Sequence, residues 1–389
     1  MGIACGMKVV IAADSFKGSC SAGQVVAAIK KGVHKVFPEA ETVCIPVADG
    51  GEGTVDALLA AVGGERVRLT VQDPLGRPIE AEYGVLPDGT AVIETAAASG
   101  LPLLRLEERD ALHASTFGTG ELIRHALKRG ARKVILGLGG SATTDGGLGL
   151  AQALSISFQD ASGKELGAGG AALSALEKID ASGLVPEAAG CEFVLACDVR
   201  NKLCGPKGAA AVFGPQKGAT PEQVEELDRC LARYGDILLR QFDCDAAQRE
   251  GSGAAGGLGC AMLAFFNAAI RPGIDLVLDA AGFDRAAASA DLVLTGEGRL
   301  DAQSAYGKVP AGVAGRAKAA GTAAVVAIGG AIGEGAEALY ACGVDEMVST
   351  VDRIVTLEQA MACASESLER CTVRTMRLLR MGMDRNQRQ

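Results

Sequence analysis

A short apolar strand followed by a polar loop and an amphipathic helix constrains the fold more than any other feature of this chain. Lys8–Ala13 is a continuous apolar run, which is typical of a strand buried on both faces of a parallel sheet. A helix is predicted over Ser21–Val36 and a second strand over Thr42–Val47. The same pattern returns near the end of the chain, from the apolar run Leu292–Thr295 onward. Such alternation predicts an α/β fold with a parallel sheet and covering helices.

The middle of the chain has a different pattern, with short antiparallel strands predicted between Val67 and Glu94. We therefore predict two domains. A parallel Rossmann- or flavodoxin-like sheet domain is built from residues 1–66 and 285–389. A second α/β domain, residues 67–284, is inserted into it. A tandem of two domains is the simpler alternative and stays open at this stage.

Composition excludes several classes of protein. The net charge is −9 with a pI near 5.1, whereas a nucleic-acid-binding protein usually has a basic balance. The twelve Cys residues are scattered without a C-x-x-C pair, and there are three His, so reduced thiols fit better than disulfides or a zinc site. The uncharged run Gly251–Ile270 contains five Gly and makes a poor membrane span. Together with the lack of a signal peptide in the first residues, these features predict a cytoplasmic protein without a nucleic-acid or membrane partner.

Four loops share one design, in which an apolar strand leads into a glycine-rich segment that carries a carboxylate. In open parallel sheets, ligands bind beyond the carboxyl ends of the strands. Glycines there let backbone N–H groups approach a phosphate, and the N-terminus of the next helix adds positive potential. The carboxylates would hold Mg²⁺ or accept a proton from a substrate hydroxyl. The loops are Asp14–Gly18, Asp49–Thr54, Gly139–Gly147 and Gly296–Lys308.

The clearest of these loops follows the apolar run that starts at Lys133, and a helix is predicted to begin at Leu148. Between them lie four glycines from Gly139 to Gly147, three hydroxyl side chains and Asp145. One interpretation is a phosphate-binding loop. The other is a strand-to-helix turn, because Ser, Thr and Asp also cap helices. Asp145 as a plain N-cap stays open as well.

Several well-known motifs are missing. The chain has no G-x-x-x-x-G-K-[ST] segment, no G-x-G-x-x-G after its first strand and no G-x-S-x-G segment. A P-loop nucleotidase, a nicotinamide dehydrogenase and a serine hydrolase are therefore disfavoured. Asp198 and Asn201 could bind a metal or a hydroxyl, or they could form an Asx-turn. Lys217 could meet a phosphate or a carboxylate, although a single loop lysine is usually solvated.

Six segments in the same order closely resemble the type I glycerate kinase family. Together they cover roughly residues 8–349, so residues 1–6 lie outside the resemblance and are compatible with an upstream start or a vector remnant. The resemblance implies phosphorylation of D-glycerate by ATP, with 2-phosphoglycerate favoured as the product, and two α/β domains with the site in the cleft. The segments are Ala12–Gly18, Ala48–Thr54, Gly137–Gly147, Phe213–Ala219, Gly253–Gly259 and Thr295–Ser304.

Phosphoryl transfer depends on positioning and on neutralising the transferred charge. It needs Mg²⁺ held by one or two carboxylates, a base, and a cation for the glycerate carboxylate. The predicted catalytic residues are Asp198, Asp14, Lys17 and Asp145. The predicted substrate-binding residues are Ser15, Asp49, Arg77, Asn201, Lys217, Arg299 and Lys308. The predicted cofactor-binding residues are Gly139, Gly140, Ser141, Thr143, Thr144, Gly296 and Glu297, and the predicted Mg²⁺ ligands are Asp49, Glu52 and Asp301.

Asp198 is preferred as the base, because the neighbouring Asn201 adds a second polar group for a substrate hydroxyl. Asp14, beside Ser15 and Lys17, is better suited to positioning the substrate or the metal. Two alternatives to a glycerate kinase remain: a kinase of another small hydroxy acid, and a ligand-binding sensor that has lost catalysis. The sensor is disfavoured because the loop carboxylates are present. The sequence predicts no oligomeric state and does not decide between the 2- and 3-hydroxyl of glycerate.

Overall fold

The computed structural model of the chain describes residues 6–386. Residues 1–5 of the segment outside the resemblance, and residues 387–389, therefore lie outside the described residues. The strands are β1 (Lys8–Ala13), β2 (Glu41–Pro46), β3 (Glu65–Gln72), β4 (Pro78–Val85), β5 (Ala91–Glu94), β6 (Lys133–Gly137), β7 (Ser157–Gln159), β8 (Lys178–Asp180), β9 (Glu192–Ala196), β10 (Ala269–Arg271), β11 (Leu292–Leu300), β12 (Ala324–Ile332) and β13 (Glu346–Ser349).

The α-helices alternate with these strands, and short 3-10 turns lie between them. The helices are α1 (Ala22–Val36), α2 (Thr54–Val62), α3 (Ala96–Ser99), α4 (Phe117–Lys128), α5 (Leu148–Ala153), α6 (Ala209–Phe213), α7 (Pro221–Phe242), α8 (Leu258–Phe265), α9 (Gly273–Ala280), α10 (Phe283–Ala287), α11 (Val309–Ala319), α12 (Ala338–Ala341), α13 (Leu357–Ala362) and α14 (Ala364–Asn386). Within the described part of the chain, no helix combines the length and the apolar character that a membrane span requires.

The chain divides into two compact units. The first contains the residues up to Asp49, residues 56–62 and the residues from Ile274 onward. The second contains residues 50–55 and 63–273. The units differ from the predicted division at residues 50–55, 63–66 and 274–284. That the two units are separate domains stays a prediction.

The first unit is built on a five-stranded parallel sheet with the order β2-β1-β11-β12-β13. Numbered within the unit, this order is 2-1-3-4-5, the doubly wound order of flavodoxin-like folds. The apolar residues of β1 are buried against α1 and α14, with Val9, Ile11, Val33 and Leu368 in one core cluster. The predicted α/β class and its parallel sheet are therefore confirmed. In such a sheet, β1 and β11 flank the switch point at which ligands bind.

The local signals at α1 explain where that helix begins. Ser21 Oγ accepts a hydrogen bond from Gln24 N, and Gln24 Oε1 accepts one from Ser21 N. This capping box satisfies two backbone N–H groups at the start of the helix. The turn at Asp14–Gly18 therefore leads from β1 into a helix with a fixed first residue.

The second unit has a six-stranded mixed sheet with the order β10-β9-β6-β5-β4-β3. The strands β10, β9, β6 and β5 are parallel, whereas β4 pairs antiparallel with both β5 and β3. The predicted antiparallel strands are thus present, although β5 also belongs to the parallel part. Two core clusters fill this unit, one around Tyr83, Leu136 and Phe193 and one around Phe158 and Tyr234.

The sequence pattern over Thr356–Met381 predicts a single closing helix, and this prediction is wrong in one respect, because two helices occupy the segment. Thr356 caps α13, and its side chain accepts a hydrogen bond from Gln359 N. Cys363 ends α13 with a φ of −109°, and α14 begins at the next residue. The apolar spacing alone did not reveal this break, because α14 continues the amphipathic pattern.

Candidate active site

A pocket of about 650 Å³ lies at the carboxyl ends of the strands of the first unit, around the switch point between β1 and β11. Side chains from the ends of β1, β2 and β11 therefore meet there. Most of the site residues predicted in the first unit line this pocket. They are Asp14, Ser15, Lys17, Asp49, Glu297, Arg299, Asp301 and Lys308.

Asp14 is the first residue after β1, and its carboxyl is buried, with 5% of the residue exposed. Its backbone N–H donates to Gly296 O at 2.9 Å, and its Oδ1 accepts from Ser15 N at 2.6 Å. Burial, and then the charge of Asp49, raise the pKa of Asp14 to about 7, against the opposing effects of Ser15 and Lys17. A carboxyl with this pKa can both lose and accept a proton near neutral pH.

Glu297 is the second buried carboxyl of the pocket. Its Oε1 accepts a hydrogen bond from the hydroxyl of Ser304. Burial raises the pKa of Glu297, and the hydrogen bond from Ser304 and the charge of Lys308 oppose this shift. The predicted neighbour Gly296 lies inside β11, where a Cβ would collide with the carbonyl of Ile328. Gly296 therefore supports the strand pairing, and its carbonyl orients Asp14.

Asp301 and Arg299 are bound to each other at the pocket edge. Arg299 Nε lies 3.2 Å from Asp301 Oδ2, and Asp301 Oδ1 accepts from Gln303 N at 2.9 Å. The guanidinium of Arg299 is mostly exposed and can still turn toward an anion. Together with Lys17 and Lys308, it supplies the positive charge that a carboxylate substrate requires.

The sequence reasoning missed an apolar wall of the same pocket, contributed by α13, the start of α14 and the residues before them. No motif marks this segment, because its residues are ordinary aliphatic side chains of an amphipathic helix. Its contribution could have been found only from the tertiary structure. The wall residues are Val351, Val355, Leu357, Ala360, Met361 and Ala364.

The second unit contains the glycine-rich loop between β6 and α5. A Cβ on Gly139 would lie 2.6 Å from Gly51 Cα, and a Cβ on Gly137 would lie 2.6 Å from Gly50 O. The two glycine-rich segments of this unit therefore touch through their backbones, which places the segment of Glu52 beside the loop. Gly140 has a φ of +73°, a conformation that glycine adopts at little cost.

Two hydroxyl groups of this loop are unpaired among the residues that the structure describes. Ser141, Thr143 and Thr144 are buried, and within the described part of the chain Thr143 Oγ1 and Thr144 Oγ1 have no hydrogen-bond partner. Buried hydroxyls are normally hydrogen-bonded, so unpaired ones need an explanation. Phosphate oxygens would satisfy them, and the residues present therefore fit the phosphates of a nucleotide.

Asp145, predicted as a catalytic residue, lies beneath the loop rather than on its surface. It is fully buried and accepts hydrogen bonds from Thr116 N and Oγ1 at 2.8 Å and from Gly147 N and Gly149 N at 3.1 and 3.2 Å. Burial raises its pKa, and these donors oppose the shift. These bonds favour a structural role for Asp145 at the start of α5, whose N-cap residue is Gly147, over contact with a substrate.

Two predicted substrate-binding residues are engaged elsewhere in the second unit. Arg77 Nε donates to Asp73 Oδ2 at 2.6 Å, and its NH1 donates to Glu108 Oε1 at 2.8 Å. Asn201 Nδ2 donates to Lys207 O at 2.8 Å, a bond within its own loop that is not the Asx-turn considered above. Asp198, the preferred base, follows β9 and is half-buried.

Within residues 6–386, no three His, Cys, Asp or Glu side chains are grouped closely enough to hold a metal ion by themselves. Mg²⁺ usually binds one or two protein carboxylates and takes its other ligands from phosphates and water. The carboxylates predicted as Mg²⁺ ligands, Asp49, Glu52 and Asp301, belong to the glycine-rich loops described above. Their binding of an ion stays a prediction.

An α/β fold with carboxylates and glycine-rich loops at the ends of its strands is typical of enzymes that bind phosphate. Residues 9–380 match the model of the glycerate kinase family. The chain is 48% identical over 365 residues to a glycerate kinase of Bacillus subtilis, covering 94% of this chain and 95% of that protein. It is 44% identical over 378 residues to a glycerate 2-kinase of Escherichia coli, covering 97% and 99%.

A solved structure gives the same result. The crystal structure assigned to glycerate kinase 2 of Salmonella typhimurium matches with a TM-score of 0.87 and 45% identity, covering 97% of this chain and all of that one. The chain therefore belongs to the glycerate kinase family.

Proposed function

We propose that this protein transfers the terminal phosphoryl group of ATP to a hydroxyl of D-glycerate, and that the product is 2-phosphoglycerate. The observation that carries the proposal is the pocket of the first unit, where a buried carboxyl with a pKa of about 7 lies among three cationic side chains. A general base with such a pKa is suited to accept a hydroxyl proton near neutral pH. Membership of the glycerate kinase family supports the choice of substrate.

Asp14 is our candidate for the base, in place of Asp198. It would accept the proton of the glycerate hydroxyl as the oxygen attacks the γ-phosphorus, while ADP leaves. Lys17, Arg299 and Lys308 would hold the carboxylate. Lys17 is close enough to Asp14 to lower the pKa of that carboxyl by its charge. A carboxylate of glycerate bound to Lys17 would therefore lie near Asp14, and this favours the 2-hydroxyl, which is adjacent to the carboxylate, as the group that Asp14 deprotonates. The name of the Escherichia coli relative, a glycerate 2-kinase, agrees with this choice.

The loop from Gly139 to Thr144 is our candidate for binding the ATP phosphates, because it has buried hydroxyls without partners and glycines that let a phosphate approach. Mg²⁺, when bound, would neutralise phosphate charge. Asp49, Glu52 and Asp301 are the carboxylates proposed to hold it. Asp301 also forms an ion pair with Arg299 and accepts a hydrogen bond from Gln303 N.

The test is ADP release by the purified protein with Mg²⁺, ATP and a panel of small hydroxy acids that includes both enantiomers of glycerate. We expect D-glycerate to give the highest kcat/KM and EDTA to abolish turnover. A different hydroxy acid as the best acceptor would show a related kinase with another substrate. Full activity in EDTA would overturn the assignment of a metal.

A further inference from the structure

The side chain of Lys217 is buried under the glycine-rich loop of the second unit. It lies at the end of the 3-10 turn Pro215–Lys217, and 2% of the residue is exposed. Its Nζ donates to Ser141 Oγ at 3.0 Å and to Thr143 O at 2.5 Å. Both acceptors belong to the loop proposed to bind the phosphates of ATP. The ammonium group therefore donates its hydrogen bonds to groups of the protein.

The segment around Ser141, which accepts these bonds, is also held by backbone hydrogen bonds to residues 99–101. Leu101 N donates to Gly140 O at 2.9 Å, and Ala142 N donates to Ser99 O at 2.8 Å. The backbone on both sides of Ser141 is thus pinned, and its hydroxyl oxygen accepts a hydrogen from Lys217. Because a hydroxyl carries one hydrogen, the hydrogen of Ser141 is left to donate in another direction.

The charge of the lysine has one buried counterpart. Asp145 is the negative group whose charge favours the ammonium form of Lys217, whereas burial lowers the pKa of Lys217 to about 7. A buried lysine is costly unless it is paired and hydrogen-bonded. Its position here, with two acceptors in one short loop, indicates a role in shaping that loop.

We propose that Lys217 is a positioning residue that holds Ser141 so that the serine hydroxyl donates to a phosphate oxygen of the nucleotide. This inference rests on the proposed function, in which the loop binds ATP. It replaces the sequence-based prediction that Lys217 contacts the substrate directly. A hydroxyl whose oxygen accepts a hydrogen bond donates more strongly itself, because hydrogen bonds in a chain reinforce one another.

A double-mutant cycle tests the proposal with Lys217→Met, Ser141→Ala and the double variant. The hydrogen bond at stake joins the Ser141 hydroxyl to a charged phosphate oxygen, and the loss of such a bond should lower kcat/KM for ATP by about 10- to 100-fold. We expect each single variant to show a loss of this size, with the KM for D-glycerate unchanged. Once Ser141 is alanine, Lys217→Met should cost less than about 3-fold more, because residues that act through one contact are not additive.

Additive losses would overturn the proposal, since a lysine that contacts the substrate, or one that only supports the fold, would act independently of the serine. Lys178→Met, at an exposed position on β8, is the matched control and should leave kcat/KM unchanged. If Lys217→Met does not give folded protein by circular dichroism, Lys217→Gln keeps an N–H donor and enters the same cycle. A wild-type protein without ATP turnover would instead overturn the proposed function, whereas normal turnover with additive losses overturns the role of Lys217 alone.

Discussion

At the scale of single residues, the ionisation of Asp14 determines what the pocket of the first unit can do. Its carboxyl is buried beside Asp49, and Lys17 only partly offsets the cost of its charge. A carboxylate of ordinary pKa would be a weak base, whereas one near 7 has a stronger affinity for the hydroxyl proton. Burial, which usually prevents ionisation, is here compatible with catalysis at neutral pH.

Replacing Asp14 by Asn should therefore lower kcat by about 10²- to 10⁴-fold, the usual cost of losing a general base. In the wild type, kcat should rise with pH through about 7, because the base is active when deprotonated. Steady-state ADP release between pH 5 and 9 measures both effects. If Asp198→Asn loses kcat by this factor while Asp14→Asn keeps it, the base is Asp198, as the sequence predicted.

The same carboxyl should affect stability with pH. Because the pKa of Asp14 is about 7 in the folded protein and 3.8 as its ordinary value, the folded state keeps a proton that the unfolded chain has released between these values. Stability is thus lost as the pH rises through this window. Asp14→Asn lacks this group, so its Tm gain over the wild type should be small near pH 4 and largest above pH 7.

Thermal unfolding at a series of pH values measures this gain. Asp160→Asn is the control, because hydrogen bonds from Ser162 lower the pKa of that exposed carboxyl, which gives the opposite direction. If the Tm difference between Asp14→Asn and the wild type is the same at pH 4 and at pH 8, the pKa of Asp14 is not raised in the folded protein, and the prediction is wrong.

At the scale of elements, the glycine-rich loops decide where ligands can approach. Gly140 and Gly130 both have positive φ, +73° and +93°, but their surroundings differ. A Cβ on Gly140 would lie 3.2 Å from the Cβ of Ala96, whereas one on Gly130 would meet nothing within 4 Å. Substitutions at these two glycines can therefore be compared to distinguish an effect of backbone strain from an effect on the function of the glycine-rich loop.

Gly140→Val and Gly130→Val should each cost about 1–3 kcal/mol of stability from strain. Only Gly140→Val should also cripple kcat, because a branched side chain there would block the approach of a phosphate. Circular dichroism melts together with ADP release give the comparison. Normal turnover of Gly140→Val would mean that the loop is a structural turn and does not bind a phosphate.

The elements were predictable where a single signal dominated. The continuous apolar run of β1 predicted a strand correctly. Thr220, a residue type that favours the start of a helix, accepts a hydrogen bond from Gln223 N at the start of α7. The polar half of β11 could not be predicted from the sequence, because the segment Gly-Glu-Gly is typical of a loop. This segment is a strand because it pairs in register with β12, for example Glu297 with Gly329. Tertiary pairing of this kind overrides local propensity.

The candidate site was also predictable only where a local sequence pattern determined the position of a residue. Acidic glycine-rich loops placed Asp14, Asp49 and Glu297 in one pocket, since parallel strands bring their carboxyl ends together. The hydrogen bond of Lys217 to Ser141 and the ion pair of Arg77 with Glu108 join residues that are distant in sequence. No local pattern reports such contacts.

At the scale of the whole molecule, we propose that the two compact units are separate domains. The second unit has its own mixed sheet and its own core clusters, so the continuous segment of residues 50–273 should fold alone. We expect a cooperative thermal transition for this fragment, measured by circular dichroism. A fragment of residues 50–190, which lacks β9 and β10, should show none; a non-cooperative melt of the longer fragment would contradict the division.

The most direct measurement of the proposed activity identifies the product. Phosphorus NMR of a reaction with Mg²⁺, ATP and D-glycerate distinguishes a phosphate on the 2-hydroxyl from one on the 3-hydroxyl by its coupling to the neighbouring protons. We predict one new phosphate ester, 2-phosphoglycerate, formed in equal amount with ADP and formed about 10²- to 10⁴-fold more slowly by Asp14→Asn. Formation of ADP and inorganic phosphate without an ester, or of 3-phosphoglycerate, would contradict the proposed reaction or its position on the substrate.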